Sequence, residues 1–306
     1  MSRCPGLSGK NGPLANSGNA CIAAGMNSRP SIACFGAAHW DFIGQADPGF
    51  SGPDRPGTVT VRPGGVAVNV AIELAAQGCR TELLSAVGRD RDGKALLAEL
   101  KAAGIGTSLT QVSEALPTGR YLALEDETGE LTSAIADCRA VDALSVGAFN
   151  NIAAATADYW FVEANLPTAV IQDLAFVRPR PPLIANPVSP ARADRLQPFL
   201  DKIDILYCNR AEASALCANI FPTAADAARD LTTRGVRRAV VTDGPEPVCD
   251  ASPEGIFIAP ADPVGFISAT GAGDVFLSRH LAAVIAGKDP SSALRAALAH
   301  KGKERA

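Results

Sequence analysis

Aromatic residues make up only 5% of the 306-residue chain, and its formal charge of −4 leaves no basic excess. Without stacking platforms or a cationic field, the sequence has no footprint for nucleic acid or for an anionic membrane. No apolar run reaches transmembrane length. The three histidines (His39, His280, His300) show no H-E-x-x-H spacing and the eight cysteines no C-x-x-C, so a zinc site is not indicated. Scattered from Cys4 to Cys249, the cysteines read as reduced, mostly buried thiols of a cytoplasmic protein. Residues 1–30 are rich in Gly, Ser and Asn and lack a signal peptide's apolar h-region. They read as a disordered extension, within which Met26 is an alternative start.

What the chain does have is apolar content. At 47% hydrophobic over its 306 residues, the chain can bury one large domain plus an accessory piece, placed at residues 31–306. Strands are expected at 31–36, 58–61, 81–87, 159–163, 182–185, 205–208 and 239–242, and a β-hairpin at 119–136. Residues 42–62 otherwise read as turn-rich. Helices are expected at 66–77, 93–103, 168–176, 192–199, 212–217, 224–234 and 275–285. Strand–helix alternation in the second half implies right-handed crossovers and a mainly parallel sheet covered on both faces.

Two glycine-rich junctions stand out. Thr270-Gly271-Ala272-Gly273-Asp274 opens an apolar helix, combining an anion cradle, a helix N-terminus and a carboxylate. An aspartate there repels the anion the site attracts, but it makes sense as a base that takes a proton from an attacking hydroxyl. Gly64-Gly65-Val66-Ala67-Val68-Asn69 lies about two hundred residues earlier, with paired glycines leaving room for a ligand and Asn69 in the first helical turns. Parallel α/β folds gather such junctions at the carboxyl ends of their strands. A dinucleotide-binding reading fails because Phe276 stands where the third glycine belongs, and no Gly-Lys-Ser/Thr follows for a Walker loop.

These segments, with Asn186-Pro187-Val188-Ser189-Pro190 and Asn209-Arg210-Ala211-Glu212 between them in order, resemble the signatures of the ribokinase (PfkB-type) carbohydrate and nucleoside kinase family. The resemblance implies a three-layer ribokinase-like α/β fold with a small β lid from about 42–62 and 117–138. It also implies ATP-dependent phosphorylation of a primary hydroxyl on a sugar or nucleoside. Asp274 would be general base, Gly271, Ala272 and Gly273 the anion hole, and Asp41, Gly64, Gly65, Asn69 and Asn165 the acceptor site. Asn186, Asn209 and Thr270 would meet nucleotide or phosphate, and Glu212 would organise magnesium through water. ATP and Mg2+ are the implied cofactors, with room for a monovalent cation and for a homodimer through the lid. Residues 186–216 and 64–78 look closer to pseudouridine kinases than to fructose- or adenosine-directed members.

The chain also departs from the pattern. Ser268-Ala269 replaces the usual Asp-Thr, Arg279 and His280 stand where a small residue is expected, and the final elements are shorter than in relatives. These departures motivate an alternative, a family member that binds a ribosyl ligand but holds ATP poorly. On helical geometry Arg279 lies about 140° around the axis from Asp274, so it should face a neighbouring element rather than the phosphate.

Overall fold

The computed structural model describes residues 29–49, 52, 54–149, 157–261 and 271–299. Nearly all of the expected N-terminal extension lies outside them, as do Ser268, Ala269 and Thr270. The chain opens with strand β1 (Ser31–Phe35) and passes straight into β2 (His39–Ala46) and β3 (Gly57–Gly64). Residues 42–46 were expected to be turn-rich; instead the buried-then-alternating pattern of His39 to Gln45 makes an eight-residue strand that pairs antiparallel with β3. Helix α1 (Val66–Ala76) follows, then β4 (Arg80–Leu84), β5 (Ala86–Gly88) and α2 (Arg91–Ala102), which Asp90 caps through Gly93 N–H. The expected single strand over 81–87 is thus divided at Ser85, because β5 leaves to pair with β6 (Gln111–Ser113).

The hairpin forms as β7 (Gly119–Glu125) and β8 (Leu131–Asp137), followed by the short α3 (Arg139–Asp142). After β9 (Tyr159–Glu163), α4 (Thr168–Phe176) and β10 (Leu183–Asn186), the helix expected over 192–199 appears as two 3-10 pieces, Ala193–Arg195 and Gln197–Lys202. Pro198 explains this, since it has no N–H to extend an α-helical ladder. Next come β11 (Ile205–Asn209), α5 (Arg210–Cys217), α6 (Ala224–Thr233) and β12 (Ala239–Asp243). Strands β13 (Glu246–Ser252) and β14 (Gly255–Ala259) precede α7 (Ala272–Ile285) and α8 (Pro290–Leu298).

The main sheet has the order β14-β13-β12-β11-β10-β9-β1-β4. It is parallel from β4 to β12 and closes with an antiparallel meander. Alternate residues of one strand serve opposite cores, as the two-residue period requires. Phe35 and Trp160 pack with Leu174, Leu216 and Leu231 beneath α4 to α6. Ile32 and Phe161 pack with Leu74, Leu281 and Leu294 beneath α1, α7 and α8. Each such fully buried side chain contributes about 1.5–3 kcal/mol. A second sheet, ordered β3-β2-β7-β8, stands over the carboxyl end of β1.

Candidate active site

A cavity of about 400 Å³ opens at the carboxyl ends of the parallel strands, between the small sheet and α7. Gly271, which opens α7, has φ 91° and no side chain caps the helix, leaving its first amides for another acceptor. A Cβ at Gly273 would meet nothing within 4 Å, so the cradle floor is open. Gly271, Gly273 and Asp274 all line the cavity; Ala272 contributes the first helical amide between them.

Asp274 Oδ2 accepts a 2.8 Å hydrogen bond from Asn69 Nδ2, which joins α7 to α1. Burial pushes the Asp274 carboxyl up to about 7. The Asn69 bond opposes that rise, while the charges of Glu163, Glu212 and Asp41 add to it. A carboxyl poised there is close to optimal for proton transfer near neutral pH.

The paired glycines before α1 do different jobs. Gly65 (φ 101°) lines the cavity and passes so near the Ala37 carbonyl that no Cβ fits. Gly64 does not line the cavity, contrary to its expected place in the acceptor site. Its missing side chain makes room for the Asp41 carboxylate, which a Cβ would overlap. Asp41 is 3% exposed, with His39 Nδ1 3.0 Å from Oδ1 and Arg62 Nε 3.7 Å from Oδ2.

At the end of β9, Glu163 is fully buried and accepts from the N–H groups of Ala37 and Asn165. It fixes the turn that presents Asn165 to the cavity. Burial, above all, pushes the Glu163 carboxyl up. Asn186, expected at the phosphate, lines the cavity, but its side chain is used by the backbone. Oδ1 accepts from Val188 N–H at 2.8 Å and Nδ2 donates to the Tyr207 carbonyl at 3.1 Å. These bonds hold Val188 at φ 67°, a left-handed setting rare for a β-branched residue and a mark of functional turns.

Asn209 and Glu212 form a reciprocal capping box on α5, at 2.8 and 2.9 Å, while both line the cavity. Burial pushes the Glu212 carboxyl up as well. No group of three or more His, Cys, Asp or Glu side chains capable of holding a metal occurs among the described residues.

Several residues were not legible as site components. Tyr121, Cys138, Ser189 and Arg192 line the cavity, and the Tyr121 ring lies 6.0 Å from His39. Ser189 stood within the family-like segment Asn186–Pro190, and Arg192 was read only as the start of a helix. Arg120 of β7 pairs with Asp92 at 2.7 Å on the surface. Arg279 is not among the residues that line the cavity; burial lowers its basicity, and the charge of Glu73 on α1 opposes that.

The family model for pfkB family carbohydrate kinases matches residues 29–300. The chain belongs to this family. It is a phosphotransferase with an alcohol group as acceptor, and the family implies ATP use and a small sugar or nucleoside substrate. Pseudouridine kinase of Escherichia coli (strain K12) is 28% identical over 83% of this chain and 83% of its own length. Ribokinase of Bacillus subtilis (strain 168) is 26% identical over 76% of this chain and 78% of its own. A solved carbohydrate kinase from Agrobacterium tumefaciens superposes with a TM-score of 0.76 at 28% identity, covering 88% of this chain and 89% of that one. The ribokinase-like fold is therefore the fold of this chain. No helix among the described residues is long and apolar enough to cross a membrane.

Proposed function

We propose that this kinase phosphorylates the primary 5′ hydroxyl of a ribosyl compound, with pseudouridine as the first acceptor to test. The observation that carries the reading is Asp274, bonded to Asn69 beside the uncapped amides of α7, where burial pushes its carboxyl up to about 7. The 28% identity to a pseudouridine kinase supports the choice of acceptor. When bound, ATP with magnesium supplies the phosphoryl group and the cation that bridges its phosphates, and the open cradle at Gly271 and Gly273 fits such an anion.

Within this reading, Asp41 and Asn165 hold ribose hydroxyls, and His39 fixes the orientation of Asp41. Asn69 orients Asp274 so that its free oxygen takes the proton of the attacking hydroxyl. The amides of Gly271, Ala272 and Gly273 stabilise the charge that develops on the transferred group, with Thr270 ahead of them in the sequence. Asn209 and Glu212 set the α5 terminus toward the same group, and Asn186 holds the neighbouring turn. The small sheet acts as a lid that excludes water.

The outer lid face supports self-association. Val61, Phe42, Leu122 and Ile135 form one cross-strand row, and Val61, Leu122 and Ile135 are exposed. The reaction is tested by ADP release with pseudouridine, uridine and ribose as acceptors. Loss of turnover in Asp274→Ala is expected, and turnover that survives unchanged refutes the assignment of the base.

A further inference from the structure

Arg62 lies on β3 directly opposite Asp41 of β2. Its guanidinium, not itself among the lining residues, lies beside two residues that do line the cavity, Asp41 and Gly271. Nε is 3.7 Å from Asp41 Oδ2, and Nη2 is 3.9 Å from where a Cβ on Gly271 would stand. The group therefore bridges the lid carboxylate proposed to hold the acceptor and the residue that opens the anion cradle. Its side chain is 29% exposed, so its charge is partly shielded from solvent.

The electrostatics of the reaction favour a protein cation near this place in addition to the magnesium that ATP brings. Asp41, Glu212 and Asp274 all face the cavity, with Glu163 buried behind them, and each repels a phosphoryl group. Arg192 also lines the cavity, but its guanidinium faces Asp142 of α3 at 3.5 Å. Arg62 is the guanidinium that adjoins Gly271. A planar fork with several N–H donors can hold Asp41 on one edge and a phosphoryl oxygen on another.

We propose that Arg62 is a catalytic residue of the phosphoryl transfer, contacting the migrating group from the lid side while the α7 amides contact it from the other. This rests on the phosphotransfer proposed above. In that step the acceptor oxygen bonds to the γ-phosphorus and the bond from phosphorus to the bridging oxygen breaks. The electron pair leaves with the nucleoside diphosphate, and the hydroxyl proton passes to Asp274. Arg62 takes part in no bond change; its charge offsets that of the equatorial oxygens as the group crosses. Because β3 belongs to the lid, an acceptor seated against Asp41 also sets the position of the arginine.

The test measures kcat in an ADP-release assay and acceptor Kd by calorimetry for the wild type, Arg62→Gln and Arg62→Lys, with thermal melts to verify folding. Arg62→Gln is expected to lower kcat by about 10²- to 10³-fold, as removal of one preorganised donor to the developing charge does, with acceptor Kd within about threefold. Arg62→Lys, which keeps the charge without the fork, should lie between and serves if the glutamine variant does not fold. A raised acceptor Kd with unchanged kcat overturns the proposal, because it is what a residue that merely holds Asp41 produces. Unchanged values for both also overturn it, leaving the phosphotransfer intact. A wild-type chain that turns over no acceptor overturns the reaction and this inference together.

Discussion

Asp274 is a carboxyl that burial holds protonated up to about pH 7, so the base is not fully available in mildly acidic solution. kcat/KM is expected to rise with pH, reach half its maximum near 7 and flatten above. A flat profile from pH 6 to 8 contradicts the role. The same shift affects stability. The folded state retains a proton between the ordinary value of 3.8 and about 7, so this group's contribution falls as pH rises through that window. Asp274→Asn should remove that slope in thermal melts. Asp274→Ala should lower kcat by about 10²-fold or more with little change in acceptor affinity. Asp41→Ala should weaken acceptor binding by about 2–4 kcal/mol, because it strands hydroxyls once paired with a charge. Gly64→Ala offers an independent check. Its Cβ overlaps the Asp41 carboxylate, so acceptor Kd should rise although every polar group remains.

At the scale of elements, α7 carries more than the cradle. His280, 0% exposed, stacks on Phe276 and lies 2.9 Å from the Tyr207 hydroxyl and 3.4 Å from Asp250, itself paired with Arg238. The network ties α7 to β11 and β13 behind the cavity wall. Burial pushes the imidazole below its usual 6.5. The unfolded chain therefore binds a proton that the folded chain refuses, and stability falls as pH drops below 6.5. His280→Gln should reduce the loss of Tm between pH 7 and pH 5.5, and an identical loss would contradict the buried neutral state. Much of this architecture was legible in the sequence. Short apolar runs gave β1, which Gly36 bounds, β9 and β11, and the 3.6-residue period gave α1, α2 and α6. Strand β2 was missed because His39-Trp40-Asp41 carries polar groups inward, to a cavity wall rather than to a dry core. The meander β13–β14 was missed because Pro247, Asp250 and Ser252 interrupt its apolar alternation. Asn186 was recognisable as important, but its job of pinning Val188 depends on the carbonyl of Tyr207, which no local pattern reveals.

Across the whole molecule, the parallel sheet brings Asp41, Asn69, Asn165, Glu212 and Asp274 to one cavity although they span 233 positions. The lid extends this rigid centre with a row of exposed apolar side chains. The proposed lid-mediated homodimer predicts a wild-type mass of two chains by light scattering. Leu122→Lys with Ile135→Lys should reduce it to one, and a wild-type monomer at high concentration contradicts the assembly. The account as a whole turns on one chemical event at that cavity. Its most direct test incubates the full chain with ATP, magnesium and pseudouridine and identifies the product by phosphorus NMR and mass spectrometry. The expected product is the 5′-monophosphate, formed with one ADP per turnover and lost in Asp274→Ala. ADP release without a phosphorylated acceptor, or the same product at the same rate from the alanine variant, would contradict it.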